Sequence, residues 1–274
     1  MTIRKRRGAK YPARKTPEYA RRNTAQGASA GTASRPLRLY GVHPVVAALA
    51  NPLRRCRRLA ATTSALKDLR ARLGGALERD GLVIAEATRD QVARLLDEGA
   101  THQGLALDVA PLPRPRFDEI CVSDRAPRLL ILDRVNDPRN LGAVIRAAAA
   151  FEAGAVIVPD RHAPDESGAL AKAASGLLER VPLVRVANIA RAIGQLQRRG
   201  YWCIGLDGGA RQTIASAKTD GPIVLVLGAE GAGLRRLTRE RCDVILRLPI
   251  SDAVESLNLA AAAAVALYAL SEVK

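Results

Sequence analysis

Aromatic side chains are scarce: one Trp, two Phe and five Tyr in 274 residues. A core built on stacked rings is therefore excluded. The 48% of hydrophobic residues, largely Ala, Val and Leu, must pack as an aliphatic core. Long apolar runs are missing too. The best stretch, residues 257–270, is alanine-rich and falls short of the roughly 18 residues a membrane span requires. The N-terminus is basic but lacks the apolar segment of a secretory signal, so a cytoplasmic chain is expected. The Arg-rich, acid-poor start also fits a mitochondrial presequence. Cys56, Cys121, Cys203 and Cys242 show none of the close spacings of zinc or redox sites. His43, His102 and His162 lie far apart, so no metal site is expected.

Acidic residues are the sparse sign of charge, 27 against 43 Lys and Arg, a net +16. The excess is uneven. Residues 1–36 carry ten basic residues and one acid, a net +9, whereas residues 37–110 carry +3 and the remainder +4. A basic tail on a nearly balanced body points to a polyanion such as nucleic acid, with a merely solubilising tail as the plain alternative. Residues 1–36 hold almost no large apolar side chains and are read as disordered.

Order is expected from Leu37. Helical spacing marks residues 45–49, with Pro44 in the first turn, and residues 66–77 and 88–96. Strands are expected at 57–61, 82–84 and 105–109. Residues 37–110 thus form a small alternating α/β unit. Alternating prolines from Pro111 to Pro115 then favour an extended connector, so residues 111–127 are read as a linker. From residue 128 the pattern changes to apolar strands at 129–132, 155–158, 183–186, 202–205, 223–227 and 244–248. Helices fall between them at 141–151 and 189–199, and a last one covers 257–270. This repeat implies a parallel sheet covered by helices on both faces, and residues 128–274 are read as a second domain.

Three loops of that domain follow strands and are unusual. The first, Asp133 to Gly142, contains Pro138 and Asn140, the latter placed to cap the following helix. Arg134, Arg139 and Arg146 add donors suited to phosphate, and Gly142 admits a close backbone or ligand. The second, Gly228-Ala229-Glu230-Gly231-Ala232-Gly233, has neither dinucleotide-loop nor P-loop spacing, and Glu230 is its least expected member. The third runs from Leu248-Pro249-Ile250 to Ser256-Leu257-Asn258-Leu259, where Ser256 reads as a helix cap. Each loop alone also fits ordinary turns and caps.

Together they resemble the three signature motifs of the SpoU/TrmH family of RNA ribose 2′-O-methyltransferases: Asn-Asp-Pro-x-Asn-x-Gly with Arg146, then Leu-Gly-x-Glu-Gly, then Leu-Pro-Ile…Ser-Leu-Asn. The resemblance covers about residues 128–272. Leu39-Tyr40-Gly41-Val42-His43-Pro44-Val45 and Gly99 to Gly104 resemble the ends of the L30e-like RNA-binding module found in the rRNA branch. The nearest likeness is to enzymes that methylate a guanosine in the peptidyl-transferase region of 23S rRNA.

The resemblance implies an α/β SPOUT catalytic domain with a trefoil knot, preceded by a small L30e-like α/β domain. It implies S-adenosylmethionine as cofactor, 23S rRNA as substrate, a homodimer formed by the catalytic domain, and no membrane or metal partner. By motif position, Leu227, Gly228, Glu230, Leu248, Ile250 and Leu257 line the cofactor pocket. Asn140, Arg146, Glu230, Ser256 and Asn258 match catalytic and substrate-orienting positions, and Arg134, Arg139 and His102 fall on the RNA side. Arg139 stands where many relatives have His, and Glu255 where a small polar residue is common. A tRNA ribose methyltransferase is the alternative within the class, and a non-catalytic RNA-binding or ribosome-assembly protein the alternative outside it. The separate module argues against the first, and Asn140, Arg146, Glu230 and Asn258 argue against the second.

Overall fold

Every side chain from Leu129 to Leu132 is fully buried, as an unbroken apolar run in a central parallel strand requires. In the computed structural model, which describes residues 36–122, 124, 126–217, 220–251 and 253–272, this strand lies within a seven-stranded sheet. The strands are β5 (Arg128–Leu132), β6 (Ala155–Pro159), β7 (Leu183–Val186), β8 (Trp202–Leu206), β9 (Gln212–Thr213), β10 (Ile223–Leu227) and β11 (Val244–Arg247). Their order is β7-β6-β5-β10-β8-β11-β9 and every pairing is parallel.

Alternate residues feed two cores. Leu130, Leu132, Val156, Leu225 and Leu227 face helices α5 (Pro138–Ala150), α6 (Gly168–Ala173) and α9 (Leu259–Glu272). Leu129, Ile131, Ile157, Val224 and Val226 face α7 (Ile189–Gln197) through Ile189, Ile193 and Leu196. The expected parallel sheet with helices on both faces is what the chain forms.

The smaller domain has a four-stranded sheet in the order β1-β4-β2-β3, built from β1 (Leu37–Tyr40), β2 (Cys56–Ala61), β3 (Val83–Glu86) and β4 (Leu105–Val109). Only β2 and β3 run parallel. Helices α1 (Val42–Ala50), α2 (Thr63–Leu73) and α3 (Arg89–Arg94) complete it. The helical pattern of residues 66–77 breaks at Gly74, whose φ of +51° ends α2, and a 3₁₀ turn follows. Thr88 caps α3 in a capping box with Gln91. The basic tail read at residues 1–36 lies, apart from Pro36, outside the described residues.

The two domains meet at a buried cation. Arg54 is fully buried, donates to Glu179 through Nε at 2.9 Å and to the Ala110 carbonyl at 3.0 Å, and forms an ion pair with Glu166 through Nη1 at 2.5 Å. Burial pushes the Glu166 carboxyl up and Arg54 opposes that shift. Gly168 and Gly176 have no room for a side chain beside Tyr40 and His43. The proline connector is also held, because Leu112 N donates to Glu166 at 3.0 Å. It leads to a short helix, α4 (Phe117–Ile120), before β5.

Candidate active site

Asn140, Glu230 and Asn258 follow three different strands of the parallel sheet, and the fold brings them to one carboxylate oxygen. Glu230 Oε1 accepts from Asn140 Nδ2 at 3.0 Å, Asn258 Nδ2 at 3.0 Å and the Leu259 backbone N–H at 2.9 Å. Asn258 Nδ2 also donates to Asn140 Oδ1 at 3.0 Å. Asn258 Oδ1 accepts from Ala260 N at 2.9 Å, which fixes the orientation of that amide.

Local folding explains each position. Pro138 opens α5, and Asp137 caps it by accepting from Arg139 N at 2.8 Å. Asn140 is therefore not the cap anticipated from its residue type. It lies inside the first turn, and its side chain is free for Glu230. The Glu230 loop is a tight hairpin in which Ala229 and Gly233 exchange backbone hydrogen bonds of 3.1 and 2.9 Å. A side chain at Gly228 would run into the Gly233 and Leu234 backbone. Gly231 at φ +72° and Gly233 at φ +62° occupy the left-handed region the turn needs.

The third loop also differs from expectation. Helix α9 begins at Leu259, and Asn258 rather than Ser256 supplies the capping oxygen. The Glu230 carboxylate satisfies the Leu259 N–H at the same helix end, where negative charge is favourable. Ser256 is exposed, two residues upstream. Gly142 admits a backbone and not a ligand: its α-carbon faces the Leu170 carbonyl and Ala173 of α6.

Arg134, Arg139 and Arg146 are exposed, and no carboxylate pairs with them among the described residues. Arg139 and Arg146 are seven residues apart, so they share one face of α5, about 10 Å apart along its axis. Arg146 makes no hydrogen bond to the Asn140–Glu230–Asn258 cluster. His102 sits elsewhere. It is 8% exposed, and its Nδ1 accepts from Gly104 N at 3.1 Å in the loop before β4. Burial, with Arg89 nearby, lowers its pKa and favours this neutral acceptor.

The positions that the resemblance assigns to the cofactor follow the carboxyl ends of β10 and β11, which flank β8, and open parallel sheets bind ligands at such ends. Register pairs Val226 of β10 with Gly205 of β8, and Leu246 of β11 with Leu206. Leu227 is buried, while Gly228, Leu248, Ile250 and Leu257 are half-buried. Apolar side chains beside a hairpin rich in backbone N–H groups fit an adenosyl group carrying polar ends. Leu206 and Asp207 at the end of β8 belong to the same neighbourhood. They carried no sequence signal, because nothing in that stretch resembles a motif.

Two further groups had no signal in the sequence. Asp133, fully buried at the end of β5, is held by Arg235 and Thr238. Tyr40 of the small domain lies close enough to Arg139 to feel its charge: burial and Asp97 push the phenol up, and Arg139 opposes them.

A parallel α/β domain with three converging motif loops, joined to a small α/β module, defines an RNA ribose methyltransferase dependent on S-adenosylmethionine. The chain belongs to the SpoU rRNA methylase family, whose model matches residues 127–268; the model for the substrate-binding domain of RNA 2′-O ribose methyltransferases matches residues 38–115. Among similar proteins is the 23S rRNA (guanosine-2′-O-)-methyltransferase RlmB of Vibrio vulnificus, 39% identical over 236 residues, covering 84% of this chain and 94% of the relative. That of Salmonella typhimurium is 40% identical over 238 residues, covering 84% and 96%. Among solved structures, AviRb of Streptomyces viridochromogenes in complex with AdoMet aligns with a TM-score of 0.72 at 24% identity, over 86% of this chain and 89% of that one. An AdoMet-bound rRNA methyltransferase of Sinorhizobium meliloti gives 0.72 at 23%, over 86% and 87%.

Proposed function

We propose that this enzyme methylates the 2′-hydroxyl of a guanosine in the peptidyl-transferase region of 23S rRNA. The observation that carries the reading is the convergence of Asn140, Asn258 and the α9 N-terminus on Glu230 Oε1. Similarity to RlmB proteins along 84% of the chain supplies the substrate. A 23S rRNA substrate supports a cytoplasmic location.

Leu227, Gly228, Leu248, Ile250 and Leu257 would hold S-adenosylmethionine, with Glu230 at the edge of that site. When bound, the cofactor supplies a methyl group activated on a sulfonium. The remaining chemistry falls to the chain. A ribose hydroxyl is a poor nucleophile at neutral pH, so its proton must be drawn away as it attacks. Arginine stays protonated in proteins. Arg146 therefore acts by contacting the hydroxyl and the adjacent phosphate, where its charge favours the developing oxyanion and the hydroxyl proton passes to solvent water. Asn140 and Asn258, locked by Glu230, orient the ribose, and Ser256 borders them. Alignment of the attacking oxygen supplies much of the rate. Arg134 and Arg139 contact RNA phosphates. His102 shapes the RNA-facing loop of the small domain from within, since its ring is buried.

A homodimer through the catalytic domain belongs to the same reading. Helix α9 packs on α5 through the edge-on pair Phe151–Tyr268, yet leaves Val265 47% and Tyr268 51% exposed, an apolar strip that a second subunit would cover. The knotted path is also part of it. Strands β10 and β11 flank β8, and the segment after β11 returns to the Glu230 hairpin.

The test is incubation of purified protein with labelled S-adenosylmethionine and a 23S rRNA fragment, followed by digestion to nucleosides. Label in 2′-O-methylguanosine is the expected result. Label on a base alone, or in tRNA alone, would overturn the assignment.

A further inference from the structure

The carboxyl ends of β5, β6 and β7 enclose a surface groove that extends away from the Glu230 cluster. One part, about 550 Å³, is lined by Arg134, Asn136, Arg161, His162 and Arg235. Another, about 510 Å³, shares Arg161, His162 and Arg235 with the first and extends past Asn188 to Arg236. The two make one continuous depression across three strand ends.

Its electrostatics are one-sided. The single acid in its lining, Asp133, is fully buried and accepts four hydrogen bonds from Arg235 and Thr238. It neutralises Arg235 and leaves that guanidinium rigidly placed. Arg134 and Arg161 are exposed, and no carboxylate pairs with them among the described residues. His162 holds a φ of +69°, a left-handed conformation that non-glycine residues seldom adopt and that ordinary loops avoid. An arginine fork suits a phosphodiester better than it suits a neutral ligand.

Position adds the direction. Arg134 lies in the β5–α5 loop that leads directly to Asn140 in the first turn of α5, so one segment of chain links the groove to the catalytic cluster. From β5 to β7 are two inter-strand gaps, about 10 Å. That span is long enough to follow the backbone beyond a single phosphate.

We propose that Arg134, Arg161, His162 and Arg235 form a track for the RNA backbone flanking the modified nucleotide. The track holds phosphates and reads no bases, so it adds affinity and register without choosing the site. The inference rests on the chain being an RNA methyltransferase, and its test is separable from that reading.

The experiment compares the full-length enzyme with the double variant Arg161→Ala/His162→Ala. Both positions are exposed, and circular dichroism checks that the variant is folded. Methylation of a 23S rRNA fragment should show KM for RNA raised roughly 10-fold or more, as expected when a charge-assisted hydrogen bond is removed. Its kcat at saturating RNA and its affinity for S-adenosylmethionine should stay unchanged. The log–log slope of RNA affinity against salt should shrink by about 0.7–0.9 for each phosphate that is no longer neutralised. Arg161→Lys should recover part of the salt slope. With the wild-type enzyme active, an unchanged KM and an unchanged slope in the double variant would overturn the track. A wild-type enzyme that methylates no rRNA fragment would instead overturn the substrate assignment.

Discussion

Arg235 gives three of its N–H groups to the buried carboxylate of Asp133: backbone N at 2.8 Å, Nε at 2.8 Å and Nη2 at 2.5 Å, with Thr238 Oγ1 adding a fourth bond at 2.9 Å. The pair ties the end of β5, from which the Asn140 loop departs, to the segment immediately after the Glu230 hairpin. Two of the three motif loops are thereby fixed relative to each other from below.

Removing the arginine leaves a fully buried charge with fewer partners. Arg235→Ala should cost about 1–3 kcal/mol, the penalty for leaving a buried acceptor short of partners, because the Arg235 side chain is itself 42% exposed and the backbone N–H and Thr238 still bond Asp133. Its neighbour Arg236 is 77% exposed at the side chain and pairs with Glu240 at the surface, so Arg236→Ala should cost less than about 1 kcal/mol. Urea denaturation of the two variants measures the contrast. Equal losses would show that the Asp133 carboxylate is solvated without Arg235.

Glu230→Gln keeps the size of the side chain but halves its oxygen acceptors and removes the charge at the α9 N-terminus. Stability should fall by only about 1 kcal/mol. Methyl transfer should fall more than tenfold, because Asn140 and Asn258 lose their common anchor. Thermal melting and single-turnover assays separate the two effects, and wild-type turnover in the variant would exclude Glu230 from the mechanism.

Arg146→Ala should abolish transfer and leave cofactor binding intact, since its guanidinium lies on α5, outside the loops assigned to the cofactor. Arg146→Lys should recover little, because a lysine offers no bidentate contact. Calorimetry with S-adenosylmethionine alongside the methylation assay checks both statements.

Burial pushes the Cys121 and Cys242 thiols up to about 12 from an ordinary value of 9.0. At pH 8 the native thiolate fraction is then on the order of one in ten thousand, and thiol reagents should react only after unfolding. The folded state keeps these protons more tightly than the unfolded chain, so their contribution to stability is complete below pH 9.0 and is lost as pH rises toward 12. Denaturant midpoints should hold from pH 8 to about 9 and fall from there to pH 11.

The strands were the most legible part of the sequence. Residues 105–109, 183–186 and 223–227 have the observed limits, because each is a β-rich apolar run bounded by polar or helix-breaking residues. Helix starts were less so. Asn140 and Ser256 are good capping types, but Asp137 and Asn258 were equally good and stood nearer the actual first turns. The motifs pointed to Asn140, Glu230 and Asn258, whose mutual hydrogen bonds no local pattern could show. The pairs Asp133–Arg235 and Arg54–Glu179 span 102 and 125 residues and left no mark in either periodicity or composition. The resemblance put His102 on the RNA side, whereas its ring is buried and accepts from Gly104 N within the loop before β4.

The Asn140–Asn258 hydrogen bond joins residues 118 positions apart, and α9 follows Asn258 directly. Pairings of such separation form late, since the intervening chain must first be ordered. Synthesis proceeds from the N-terminus, so the small domain, whose sheet closes at Val109, can fold while the rest is still being made. A nascent chain thus acquires its RNA-facing module well before its methyl-transfer centre, and catalytic competence arrives only once α9 has left the ribosome.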